Sequence, residues 1–153
     1  MTSDTILICG GAGYIGSALT SRILKETNYK VRVFDQLLYG GDSLYPFFNY
    51  LDRFKFIQGD LRTFDLGGLL DNVDYVVNLA ALVGEPICKK FPKEAQEINF
   101  DANIKLAKKS EEKFMKNNSD ILPLEGIPLA IKDEEDIAGQ PNTNGSLVLK
   151  DHI

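Results

Sequence analysis

Thr5-Ile6-Leu7-Ile8-Cys9-Gly10-Gly11-Ala12-Gly13-Tyr14-Ile15-Gly16 is the stretch that decides the fold of this chain. Its first five residues form a short apolar run ended by glycine, which reads as a strand buried on both faces, as in a parallel sheet. The glycines that follow make G-x-x-G-x-x-G at Gly10, Gly13 and Gly16, between that strand and an expected helix. Gly10 permits a tight turn out of the strand, Gly13 leaves backbone open to a phosphate, and Gly16 lets the helix pack closely on the sheet. A helix N-terminus at this place presents free N–H groups and positive dipole density to an anion. A glycine-rich turn that holds nothing is the plain alternative.

Outward from this turn the pattern stays regular. Ile15, Ala18, Leu19, Ile23 and Leu24 recur at helical spacing, so a helix is expected from Tyr14 to Glu26. Lys30 to Phe34 reads as a second strand ending at Asp35, and Phe54 to Ile57 as a third, stopped by Gly59-Asp60. Between them, Gln36 to Leu51 reads as a loop with at most one helical turn. Leu66 to Leu70 is a short helix, Val73 to Leu79 a fourth strand, and Lys93 to Lys109 one long amphipathic helix with Ile98, Ala102 and Leu106 on one face. The alternation predicts an α/β fold with a Rossmann-like parallel sheet, spatial order 3-2-1-4, flanked by helices.

Asp35 stands 19 residues after Gly16, at the end of the second strand. A carboxylate there accepts hydrogen bonds from the ribose hydroxyls of a dinucleotide and repels a 2′-phosphate; neither Gln36 nor Leu37 supplies a compensating arginine, which favours NAD over NADP. The alternative is a solvated strand-end aspartate. Asp60, beside Leu61 after the third strand, can accept from an adenine amino group or serve as an ordinary turn residue. Asn78-Leu79-Ala80-Ala81 ends the fourth strand with small side chains, suited either to a close-passing cofactor or to simple packing.

In order and spacing, Gly10 to Gly16, Asp35, Gly59-Asp60-Leu61, Asn78 to Ala81 and Asn99 resemble the N-terminal part of the extended short-chain dehydrogenase/reductases, the NAD-dependent epimerase/dehydratase group. That resemblance covers residues 1–110. It implies NAD as cofactor, with the Tyr14 and Ile15 backbone at the pyrophosphate, Asp60 and Leu61 at adenine, Ala80 and Ala81 near the nicotinamide-side ribose, and Leu79 in the same cofactor-binding set. Asn99 belongs to the same set. Leu82 to Cys88 resembles the substrate-side loop of some sugar-nucleotide members, which implies a sugar nucleotide as substrate. The family's catalytic Tyr-x-x-x-Lys has no counterpart: the last tyrosine is Tyr75, and no tyrosine is followed four positions later by lysine. Without that tyrosine nothing takes the sugar hydroxyl proton. The expectation is therefore a truncated NAD-binding module without turnover of its own, or a non-catalytic subunit that pairs with a complete enzyme or with itself through the edge of an unfinished sheet.

The character changes after Ser110. Residues 1–110 hold 13 Lys/Arg and 13 Asp/Glu, whereas residues 111–153 hold 4 and 9 and so carry the whole net charge of −5. Residues 111–121 read as a linker. Residues 122–151, from Pro123 through Lys132 and Asp133 to Gly145-Ser146, resemble the start of the amidase-signature hydrolases, in which a lysine at the place of Lys132 deprotonates a serine relay. Those serines have no counterpart here, so the rival reading is an amidase-type fragment, residues 122–153, with no acyl transfer of its own.

Composition excludes several classes. There is no basic run to neutralise a nucleic-acid backbone. No apolar run approaches a membrane span. The two cysteines, Cys9 and Cys88, match no metal spacing, so no metal is expected, and with no signal-type start the default is a reducing cytoplasm.

Overall fold

The computed structural model describes residues 4–117. Four strands, β1 (Thr5–Cys9), β2 (Lys30–Asp35), β3 (Phe54–Gln58) and β4 (Tyr75–Asn78), form one sheet of order β3-β2-β1-β4. All three pairings are parallel, with Ile8 opposite Val33 and Val77, and Val33 opposite Phe56. The expected Rossmann-like order 3-2-1-4 is the observed one.

The apolar run of β1 serves two cores at once. Ile6 and Ile8 face a cluster with Leu24, Val31, Val33, Leu44, Phe47 and Phe54, while Leu7 and Cys9 face another with Phe34, Leu61, Leu69, Leu70, Ala102 and Leu106. Period-two alternation with apolar groups on both sides is why the strand reads as a continuous run. Helix α1 (Tyr14–Glu26) covers the first face, and α2 (Leu66–Leu70) and α5 (Ala102–Asn117) cover the second. Arg53, just ahead of β3, donates to the carbonyls of Leu24 and Thr27, both at 2.7 Å, and so satisfies the orphan C-terminal groups of α1.

The structure departs from the sequence expectations in five places. The expected apolar face of α1 is met in part: Leu24 is buried and Leu19 and Ile23 pack against the core, but Ile15 is 65% exposed and Ala18 is exposed, while Gly16 and Thr20 are buried. Gly16 and Thr20 are small, so the helix backbone comes close to the sheet along that line. The segment expected as a loop carries a nine-residue 3₁₀ helix, Asp42–Tyr50, anchored by buried Leu44 and Phe47 and by ring contacts of Phe47 and Phe48 with Phe54. Strand β4 is shorter than expected, Tyr75–Asn78, with Val73 buried in the core ahead of it and Leu79, just past its end, still donating to the Cys9 carbonyl at 2.8 Å. The single long helix expected from Lys93 is broken into α4 (Pro92–Gln96), a π-helical turn (Glu97–Asp101) and α5, preceded by α3 (Glu85–Lys90). The extra residue of the wide turn lets Asn99 reach Leu82 while Ala102 and Leu106 stay on the core. Helix α5 runs to Asn117, so residues 111–117, expected as the start of a linker, are helical. Lys132 and the amidase-like segment 122–151 lie outside the described residues.

Candidate functional site

A cleft opens at the C-terminal ends of β1 and β4, where the chain passes to β2 on one side and β4 on the other and the strand order reverses. Such switch points are where open parallel sheets bind ligands. Gly10, Gly13, Asp35, Asp60, Leu61, Leu79, Ala80 and Ala81, all singled out from sequence, line it. Gln36, Leu38, Tyr39, Leu82 and Ile98 line it as well; of these Leu82 opens the loop that resembles a substrate-side one, whereas no sequence signal marked Leu38 and Tyr39. The enclosed volume is about 130 Å³. That falls short of the roughly 300–1,000 Å³ that encloses a small-molecule ligand, so a dinucleotide would lie mostly across the open surface.

The glycine turn is built by close backbone approaches. Gly10 has φ +76°, and a Cβ there would stand 2.7 Å from the Ala80 nitrogen. Its own N–H donates to the Phe34 carbonyl at 2.8 Å, which ties the turn to β2. A Cβ on Gly16 would stand 2.6 Å from the Gly11 Cα and closer still to the Gly10 oxygen. Gly13 differs: a Cβ would meet only the Gly10 oxygen, at 3.2 Å, so its cleft side is open. Below the turn, burial pushes the Cys9 thiol up to about 12, with the nearby Asp35 charge adding to the effect. Cys9 is therefore an inert core thiol.

Gly13 is also the N-cap of the thirteen-residue α1, with no side-chain cap bond and no acidic residue in the first turn. Helix α2 shows what a self-contained terminus looks like, since its cap Asp65 accepts from the Gly67 and Gly68 nitrogens. Helix α1 instead begins with its first-turn N–H groups free of a side-chain cap. The Tyr14 and Ile15 side chains point outward, 94% and 65% exposed. What these two residues offer the cleft is backbone.

Asp35 is committed in part to the protein. Its Oδ2 accepts from the Ala12 N–H at 3.0 Å and its Oδ1 from the Leu37 N–H at 2.7 Å. The carboxylate thus latches the glycine turn and holds Leu37 at φ 62°, which takes up two of its roughly four acceptor positions. Ser43 holds the same turn from the other side, its hydroxyl donating to the Ala12 carbonyl at 2.7 Å.

Asp60 is gripped by Arg62. The Arg62 Nε donates to both carboxylate oxygens at 3.1 and 2.9 Å, a terminal guanidinium nitrogen to Oδ2 at 2.6 Å, and the Arg62 N–H to Oδ1 at 2.9 Å. The other terminal nitrogen reaches Glu97 at 3.2 Å. The hydrogen bonds from Arg62 hold the Asp60 carboxyl below the usual carboxylate range, against the effect of burial. Sequence reading missed Arg62, although an arginine two residues after a strand-end aspartate is a short enough spacing to suggest the pair.

Asn99 is not among the residues lining the cleft; its amide brackets Leu82, accepting from the Leu82 N–H and donating to the Leu82 carbonyl, both at 2.8 Å. Asn103 continues the network, donating to the Asn99 carbonyl at 3.0 Å and accepting from Asn78 at 2.6 Å, and the Asn78 Oδ1 accepts from the Ala80 N–H at 3.2 Å. Three asparagines thereby fix the backbone of Ala80 and Leu82, one wall of the cleft. Among the described residues no cluster of three or more His, Cys, Asp or Glu is placed to hold a metal, and no helix is long and apolar enough to cross a membrane.

Comparison with known proteins gives one consistent result. The sequence model of the NAD dependent epimerase/dehydratase family matches residues 6–118. A UDP-glucose 4-epimerase of Rickettsia bellii is 34% identical over 101 residues, covering 63% of this chain and 29% of the relative. A trifunctional UDP-glucose 4,6-dehydratase/UDP-4-keto-6-deoxy-D-glucose 3,5-epimerase/UDP-4-keto-L-rhamnose-reductase of Arabidopsis thaliana is 38% identical over 82 residues, covering 50% of this chain and 12% of the relative. Among solved structures, a UDP-glucuronic acid 4-epimerase from Bacillus cereus, in complex with UDP-glucuronic acid and NAD, superposes with a TM-score of 0.64 at 29% identity, over 70% of this chain and 36% of that one. The chain thus spans about a third or less of the proteins it matches. The match ends at residue 118 and lends nothing to the amidase-like reading of residues 122–151.

Proposed function

We propose that this chain, which belongs to the NAD dependent epimerase/dehydratase family, holds NAD at the Gly10–Gly16 turn as the cofactor-binding part of a sugar-nucleotide epimerase or dehydratase. The observation that carries this reading is the uncapped N-terminus of α1, opening on a cleft that Asp35 and Asp60 border. The chemistry of these groups fits a dinucleotide: N–H donors for phosphates, one carboxylate acceptor for ribose hydroxyls, another for a base.

In this reading Gly13 and the backbone of Tyr14 and Ile15 bind the pyrophosphate, and Gly10 and Gly16 shape the turn that presents them. Asp35 accepts from the adenosine ribose. Asp60 and Leu61 border the adenine, and Leu79, Ala80 and Ala81 form a wall of short side chains beside the second ribose. Asn99 acts through the Leu82 backbone that it fixes. When bound, NAD supplies a hydride acceptor for a sugar carbon. The 153 residues contain no Tyr-x-x-x-Lys, so no side chain of that pair takes the sugar hydroxyl proton, and the chain binds without turnover by itself. The sugar nucleotide belongs to the substrate side, near Leu82 to Cys88. Free Cys9 and Cys88 suit a reducing compartment, the cytoplasm.

Calorimetric titration of the 153-residue chain with NAD tests the proposal. Heat of binding together with a rise in the unfolding midpoint is expected; no heat and no shift at millimolar NAD would sink it. Self-association is a finer expectation, supported by the exposed Phe100 and Ile104 on consecutive helical turns. Size-exclusion chromatography showing a clean monomer at every concentration would remove it.

A further inference from the structure

We infer that Arg62 is a positioning residue for base selectivity: it orients the Asp60 carboxylate so that the cleft is offered an acceptor at the adenine end, and nothing else. The inference rests on the reading of the cleft as the NAD site and goes beyond it in assigning the selectivity to a residue outside the cleft.

Asp60 and Arg62 belong to one turn, joined through their side chains, and line different hollows. Asp60 lines the cleft between Gly59 and Leu61. Arg62 lies in the neighbouring hollow with Thr63, Glu97, Asp101 and Lys105. Arg62 therefore acts on a bound base through Asp60. Its side chain is 29% exposed and that of Asp60 is 20% exposed, so the pair is only partly solvated. A planar guanidinium fork matches a carboxylate in a fixed orientation, as a lysine ammonium does not.

An ionised carboxylate offers about four acceptor positions. Three donors fill about three of them: the Arg62 backbone N–H, one terminal nitrogen, and the Nε, whose single proton is shared between the two oxygens. What remains is an acceptor with a fixed direction. The carboxyl is held in its ionised form by the same hydrogen bonds, so it has no proton to donate. Such a group accepts from the exocyclic amine of adenine and rejects the carbonyl that hypoxanthine carries in its place. Glu97, held by the other terminal nitrogen at 3.2 Å, anchors the guanidinium to the helical side of the hollow. Without this brace the carboxylate rotates freely, and ordering it again on binding costs affinity for the amine.

The experiment is calorimetric titration of the 153-residue chain with NAD and with nicotinamide hypoxanthine dinucleotide, together with the unfolding midpoint of each variant. The unmodified chain is expected to prefer NAD by about tenfold or more, the worth of a hydrogen bond to a charged acceptor. Asp60→Asn should remove most of that ratio. Arg62→Ala should bring it to within about threefold, and Arg62→Lys, which keeps charge without the fork, should fall between. Arg62→Ala placed on Asp60→Asn should change the ratio no further, since one residue acts through the other. A role confined to folding would lower the midpoint and weaken both dinucleotides in the same proportion, and that result overturns the inference. So does an unmodified chain that binds the two equally, although NAD binding then stands. An unmodified chain that binds neither overturns the proposed function and this inference together. If Arg62→Ala does not fold, Arg62→Lys decides: an unchanged ratio refutes.

Discussion

Replacing Gly13 with alanine should separate binding from folding. Gly13 has φ −72° and ψ 176° as the N-cap of α1, a conformation alanine adopts freely. The new Cβ would meet only the Gly10 oxygen, at 3.2 Å, a contact that a few tenths of an ångström relieve. That small strain opposes a gain of about 0.4–1 kcal/mol from stiffening the unfolded chain. The net stability change should stay within about 1 kcal/mol, or roughly 4–8 °C in the unfolding midpoint of a domain this size. Binding is different, because the methyl stands on the cleft side, where backbone must approach a phosphate. Displacing one N–H from a charged oxygen costs about 1.5–3 kcal/mol, or roughly 10- to 150-fold in affinity. Gly16→Ala is the contrast. Its Cβ would stand 2.6 Å from the Gly11 Cα and closer still to the Gly10 oxygen, both backbone atoms that cannot step aside. Overpacking of that kind costs about 3 kcal/mol. Thermal unfolding and NAD calorimetry on the two variants give the answer. A Gly13→Ala chain that binds NAD as tightly as the original would refute the assignment of the turn to the pyrophosphate. One that unfolds like Gly16→Ala would refute the account of the turn's packing.

Four further outcomes are expected. A 2′-phosphate about 5 Å from Asp35 at an effective dielectric near 20 is repelled by about 3 kcal/mol per unit charge, so NAD should be preferred to NADP about a hundredfold or more; equal binding in calorimetry would place Asp35 away from the ribose. Asp35→Asn, which keeps an oxygen for one of the Ala12 and Leu37 N–H groups, should be more stable than Asp35→Ala by thermal unfolding while narrowing the same gap. With the Cys9 thiol raised to about 12 by burial, its thiolate fraction at pH 8 is on the order of 10⁻⁴; a disulfide-exchange assay should count one reactive thiol in the native chain and two in denaturant, and two equally fast native thiols would contradict the buried position. The Asp60 carboxyl titrates lower in the folded chain than in the unfolded one, so its contribution is complete above the ordinary carboxylate value near 4 and is lost as pH falls toward its folded value; denaturant unfolding below about pH 4 should therefore show a shallower loss in Asp60→Asn than in the unmodified chain.

The amino-acid sequence by itself determined the strand–turn–helix opening, the order of the four strands and the cleft residues Gly10, Gly13, Asp35, Asp60, Leu61 and Leu79 to Ala81. These signals are local: β1 is apolar throughout because both faces are buried, and glycine marks the close approaches wherever the backbone must pass itself. Tertiary structure alone decided how the polar side chains are used. Asp35 spends one acceptor position on Ala12 of the glycine turn, 23 residues away, and another on the Leu37 N–H. Asp60 looks like a free carboxylate in the sequence and is gripped by Arg62, itself tied to Glu97 35 residues on. Asn99 brackets Leu82 across 17 residues and lies in a helix whose periodicity gave no hint of a π turn. The burial of Thr20 in place of Ile15 has the same origin. Helical spacing names an apolar stripe, but the face that is buried is set by where Gly16 lets α1 touch the sheet, a contact made only when the strands have assembled.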